Sequence, residues 1–100
     1  MTGNEIAGLS TLRERARFFE TGSLRWVPRW PVESGEGCLL VDGTSSGERF
    51  RVSTRQEAAL RKVIGCRGRM GLIHWNDSRR SVRTIIRALR AAADLLGELE

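Results

Sequence analysis

Three residues of this chain have the chemistry of metal ligands: Cys38, Cys66 and His74. Two thiolates and an imidazole suit zinc when a fourth donor completes the tetrahedron. Structural zinc sites announce themselves as close pairs such as Cys-x-x-Cys or His spaced by three to five residues. The two cysteines stand far apart, His74 is the only histidine, and no fourth donor is evident. The sequence therefore predicts no metal and no cofactor, and free thiols rather than a disulfide. A second constellation lies in "HWNDSRRS", where His74, Asp77, Ser78 and Ser81 fall within one short stretch. Catalysis needs a nucleophile, a base and oxyanion donors that converge. Nothing in this spacing orients either serine, so no catalytic residue is assigned and the chain is not expected to be an enzyme. "GTSSG" at 43–47 is rich in glycine but lacks the lysine and following helix of a phosphate-binding loop, and reads as a loop tip.

The same "HWND" stretch has a structural reading. Asn and Asp side chains bond nearby backbone amides and shape turns. Trp75, Asn76, Asp77, Arg80 and Ser81 are accordingly expected to form a turn and cap at the start of the last helix. Trp75 would anchor it to the core, and Asp77 would offset arginines near the helix's positive end. That helix is expected over 81–97. Val82, Ile85, Leu89, Ala92, Leu96 and Leu99 recur at alternating steps of three and four, and Arg83, Arg87 and Arg90 lie on a separate, solvated side. The apolar stripe can pack on its own domain, with the first helix as the candidate neighbour, or on a second copy, which would give a homodimer through residues 82–99.

Two further helices and a hairpin supply the rest. Residues 4–21 carry an apolar stripe at Leu9, Leu12, Ala16 and Phe19, a capping box at Thr11 and Glu14 or an earlier cap at Asn4, and a stop at Gly22. A helix over 54–65 can be capped by Ser53 with Gln56, or by Thr54 with Glu57. "CLLV" at 38–41 and "ERFRV" at 48–52 read as strands of a β-hairpin with a long loop. "CRGRMG" reads as a turn, and "LIHW" as a third strand or an extended approach to the last helix. In "LRWVPRWPV" the two prolines exclude a regular helix. As extended chain, it places Trp26, Pro28, Trp30 and Val32 on one face and Arg25 and Arg29 on the other. The expected fold class is α+β in a single domain over 1–100, with all-α as the alternative.

One hundred residues, 40% of them hydrophobic and 29% charged, fit one globular domain. The chain holds no apolar run long enough to span a bilayer, and its first residues lack the pattern of a signal peptide. A cytoplasmic protein that does not enter membranes is expected. Net charge is +5 and Lys62 is the only lysine. Usage of arginine over lysine follows from a GC-rich genome, and equally suits phosphate, carboxylate and aromatic partners.

The stretch "WNDSRRSVRTIIRALRAAADLL" resembles the end of a small actinobacterial and phage family of unknown function, the domain of unknown function 6197 group. The likeness rests on Trp75, Asn76, Asp77, Arg80, Ser81 (threonine in the family), Ile85, Leu89 and Ala92, with weaker support from "GSLRWV" and "GCLL". The family continues Cys-Leu-Leu as a helix, whereas this chain continues with Val41, Asp42 and Gly43, which is why an all-α fold stays open. The resemblance implies a phage or actinobacterial setting and carries no activity. The functional expectation is a small non-enzymatic interaction protein that binds a host or phage protein. The alternative is a nucleic-acid-binding module that uses its arginines. The partner-binding candidates are Arg25, Trp26, Arg29 and Trp30, followed by Arg83, Arg87 and Arg90.

Overall fold

The computed structural model describes residues 5–7, 10–28, 33–43 and 49–97. They build a mixed sheet and four helices, an α+β fold. In chain order the elements are β1 (Glu5–Ala7), α1 (Leu12–Thr21), β2 (Arg25–Trp26), β3 (Glu36–Gly37), β4 (Val41–Gly43), β5 (Arg49–Arg51), α2 (Thr54–Ile64), α3 (Arg69–Asp77) and α4 (Val82–Leu96). The sheet order is β1-β5-β4-β3-β2. Both edge strands pair parallel to their neighbours, β1 with β5 and β2 with β3, while β4 pairs antiparallel with both β3 and β5. Helix α4 packs against both α1 and α2, and α3 packs against α2. The core is one cluster in which Leu12, Leu39, Leu60, Leu72, Ile85 and Leu89 are fully buried.

The helix limits follow from their caps. At α1 the Glu14 amide donates to Thr11 Oγ1 and the Thr11 amide to Glu14 Oε1, at 3.0 and 2.9 Å. Ser53 and Gln56 do the same for α2, at 3.1 and 2.8 Å. Each box satisfies two amides that a helix start leaves open, and losing its hydroxyl costs about 1 kcal/mol. Gly22 and Gly65 end these helices in the left-handed region, at φ 84° and 85°, where a side chain would be strained.

Four expectations need correction. The first helix does not begin near residue 4. Thr11 sets its start, and Glu5–Ala7 instead extends the sheet as a parallel edge strand beside β5. The first hairpin strand is not 38–41 but Val41–Gly43, because residues 38–40 bend to place the Cys38 and Leu39 carbonyls on a buried arginine. "LIHW" is neither strand nor extended chain. It lies within α3, where Leu72 and Asn76, one turn apart, are buried and hold the segment helical against the domain. The "CRGRMG" turn therefore closes at Gly68, and the helices number four among the described residues rather than three. The second hairpin strand, within 48–52, pairs antiparallel with β4 in the register Val41 to Arg51 and Gly43 to Arg49.

The apolar stripe of α4 lies inside the chain's own core. Ile85, Leu89, Ala92 and Ala93 are fully buried, and α1 and α2 flank the helix. The face considered for a second copy is thus covered by the chain itself, although Leu95 stays half exposed.

Candidate binding cleft

A buried polar network shapes the site. Arg15 is 2% exposed, on the apolar stripe of α1 between Leu12 and Phe19. Its guanidinium meets the Asp42 carboxylate in a two-bond fork, Nε to Oδ2 at 2.8 Å and Nη2 to Oδ1 at 2.7 Å. Two further donors go to the carbonyls of Leu39, at 3.1 Å, and Cys38, at 3.2 Å. A buried charge is tolerable only when paired and hydrogen-bonded, and this one has its counter-charge and four hydrogen bonds. The backbone accommodates it at Gly37, where a Cβ would stand 2.6 Å from Asp42 Oδ1. The result is a fixed bend at 38–40, closed by the Cys38 amide on the Val41 carbonyl at 2.8 Å.

Asn76 grips that bend from the other side. Its Oδ1 accepts the Leu39 amide at 3.1 Å and the Trp26 indole N–H at 3.0 Å. Its Nδ2 donates to Asp77 Oδ1 at 3.2 Å. One buried amide thereby ties α3 to the bend and to β2. Trp75, Asn76 and Asp77 form the last turn of α3 rather than an irregular turn. Trp75 is half buried, and the Arg79 guanidinium lies over its ring at 4.9 Å from the centroid. Asp77 and Arg80 are exposed. Ser81 is the N-cap of α4, its side chain accepting the Arg83 amide at 3.2 Å.

Between the bend, the end of β5, the first turn of α2 and α3 opens a cleft of about 240 Å³. Its floor is apolar, formed by Leu39, Leu40, Val41, Val52 and Ile73. Charges stand at its rim, where Arg69 Nε bonds Glu57 Oε1 at 2.8 Å and Asp77 lies one helical turn beyond Ile73. Met70, 62% exposed, does not line the cleft but projects about 60° round α3 from Ile73, which does. The Cys38 thiol also lines it. Burial pushes that thiol above its ordinary pKa, against the amides of Leu40 and Val41 and the nearby Arg15, which favour the thiolate. Cys38 is therefore a neutral, apolar wall. A second depression, near Phe18, Leu24 and Phe50, has about 260 Å³.

The candidate residues read from the sequence do not share one element. Arg25 is exposed and pairs across to Glu36, whose carboxyl is held below its ordinary pKa by the Glu33 amide first and by Arg25 as well. Trp26 turns inward to Asn76, so the structure brings together two residues that the sequence reading kept apart. Arg29 and Trp30 lie outside the described residues. Arg83 and Arg87 are exposed on α4 without an ion-pair partner among the described residues, and Arg90 pairs with Glu20 at 2.8 Å. The reading missed Arg15, Asp42 and the whole cleft floor. Arg15 did leave a signal, an arginine at a position that the Leu12, Ala16, Phe19 stripe turns inward.

Both cysteines are free thiols. Among the described residues, no three His, Cys, Asp or Glu side chains gather as metal ligands, and no helix is long and apolar enough to cross a membrane. Comparison with protein-family models, curated proteins and solved structures returned no match. The likeness to the domain of unknown function 6197 group thus rests on the sequence stretches that carry it.

Proposed function

We propose that this chain is a non-enzymatic interaction domain, and that its cleft receives an apolar side chain of a partner protein. The observation that supports the reading is the cleft itself, with an apolar floor held by a buried network and a rim on which Glu57, Arg69 and Asp77 bond their neighbours. Glu57 and Arg69 bond each other, and Asp77 accepts from Asn76, so neither pair is aimed at a reacting centre. At about 240 Å³ the space is smaller than the roughly 300–1,000 Å³ typical of small-molecule sites. It suits one anchoring residue, with exposed Met70 extending the apolar contact. Methionine adapts to varied partner shapes and is frequent at such surfaces. A cytoplasmic setting in an actinobacterium or phage accords with the arginine usage and with the family likeness.

The test is selection of binders from a random-peptide library displayed on phage, using the whole purified chain as bait. Selected peptides should share a Leu, Phe or Trp anchor. Met70→Glu should weaken them roughly tenfold or more, as loss of an anchoring contact does, with melting unchanged because Met70 is exposed. Ile73→Ser provides a second variant from the cleft wall. Peptides that bind both variants as tightly as the original chain would exclude the cleft.

A further inference from the structure

A different surface carries the proposal, the seam where α1 and α4 lie side by side. Two ion pairs cross it, Arg13 with Asp94 and Arg90 with Glu20. They show which edges of the helices meet. On α1, Arg17 falls between Arg13 and Glu20, and these three project within about 60° of one another. On α4, Arg83, Arg87, Arg90 and Asp94 project within about 60°. The pairs run the two helices antiparallel, so Arg87 and Arg83 continue the same edge of α4 past the end of α1, and the seam with this continuation gathers five arginines and two carboxylates. Both carboxylates are used by Arg13 and Arg90, which leaves Arg17, Arg83 and Arg87 exposed without an ion-pair partner among the described residues.

This surplus is placed where it opposes the fold. Arg83 lies in the first turn of α4, at the positive end of the helix dipole, and that turn carries no acid. The first turns of α1 and α2 hold Glu14 and Glu57 instead. Arg83 and Arg87 are one turn apart, about 6 Å along the axis. No aromatic side chain lies on the α1 and α4 positions that make the seam, so it offers no surface on which a base could stack. What it presents is a row of guanidinium forks, suited to phosphate oxygens and blind to base identity.

We propose that the α1–α4 seam binds the phosphate backbone of double-helical nucleic acid without sequence preference, through Arg17, Arg83 and Arg87. Counterion release from the duplex supplies the affinity, so binding is strongest at low salt. The inference is independent of the cleft, and a chain that binds no peptide can still bind duplex in this way.

The probe is a fluorescently labelled 20-base-pair DNA duplex of arbitrary sequence, titrated with the whole chain by anisotropy from about 50 to 200 mM salt. Expected is a fall of log affinity with log salt of about 0.9 per phosphate contacted, hence a slope near −2.7 for three. Arg17→Gln with Arg83→Gln and Arg87→Gln should lower affinity roughly tenfold or more at the lowest salt and flatten the slope. The matched control removes the same charge off the seam, Arg55→Gln with Lys62→Gln and Arg67→Gln, three exposed residues on α2 and the loop after it. It should bind nearly as the original chain does. Equal weakening by both triple variants would show diffuse charge attraction and overturn the assignment. So would no binding by the original chain at the lowest salt. Displacement by polyglutamate at the same charge concentration as unlabelled duplex would overturn it too, because the seam would then prefer an acidic protein.

Discussion

Arg13 and Arg15 stand two residues apart on α1, and each meets an aspartate distant in sequence. Arg13 crosses to Asp94 on α4, at the surface. Arg15 points inward to Asp42 on β4, where both side chains are almost wholly buried. The chemistry is the same and the consequences differ. Water screens the outer pair, which orders a long arginine side chain for little return. The inner pair has lost its water, so each partner is indispensable to the other. The inner arginine has become part of the architecture that bends 38–40 and shapes the cleft. The outer seam keeps its arginines accessible to a ligand.

The sharpest way to break this contrast is to remove one inner partner. Asp42→Ala should destabilise by about 3–5 kcal/mol, because it leaves a buried guanidinium without its counter-charge. Chemical denaturation reads this directly. Arg15→Met with Asp42→Leu should recover much of the loss, since an apolar pair of similar size is often tolerated where a lone charge is not.

Asn76→Ala comes next, at about 2–3 kcal/mol, because the Leu39 amide and the Trp26 indole both lose their acceptor. Trp26 fluorescence should shift as its indole is released, and that shift separates this role from mere loss of helix. An unchanged denaturant midpoint would remove Asn76 from the network.

Glu36 with Arg25 is an intermediate case, a largely buried carboxylate beside an exposed arginine. Its native pKa is depressed below the ordinary 4.5. Its contribution is therefore full above that pH and is lost as the pH falls below it toward the native value. Acid titration of stability should be shallower for Glu36→Gln over that window. Equal curves would deny the pair its role.

The smallest effect belongs to the outer seam. Asp94→Ala should cost less than about 1 kcal/mol and shrink further in salt. A loss comparable to that of Asp42→Ala would collapse the distinction between the two arginines.

The parts of the fold legible in the sequence are those set by local signals. The box at Thr11 and Glu14, the stop at Gly22 and the period of α4 are each written in adjacent residues, and the helix limits follow them closely. What could not be read is set by contacts between distant residues. The strand shift to Val41–Gly43 depends on Arg15, far away in sequence. The helix at 69–77 has no side-chain cap and only a short buried side, so a few apolar residues there read equally well as extended chain. Asn76 reads as part of a turn and cap before the last helix, yet it lies in α3 and its partners are on β2 and in the bend. The arginines of α4 were legible as a solvated stripe, but their continuation through Arg17 appears only once α1 is laid beside α4.

The claim at the centre is that the cleft and the seam are separate binding surfaces. Amide chemical-shift mapping of the whole labelled chain, first with a library-selected peptide and then with the DNA duplex, tests it most directly. Peptide-induced shifts should gather at 38–41, 51–52 and 69–77, and duplex-induced shifts at 13–20 and 83–94. Peptide shifts confined to α1 and α4, or one common set for both ligands, would contradict it.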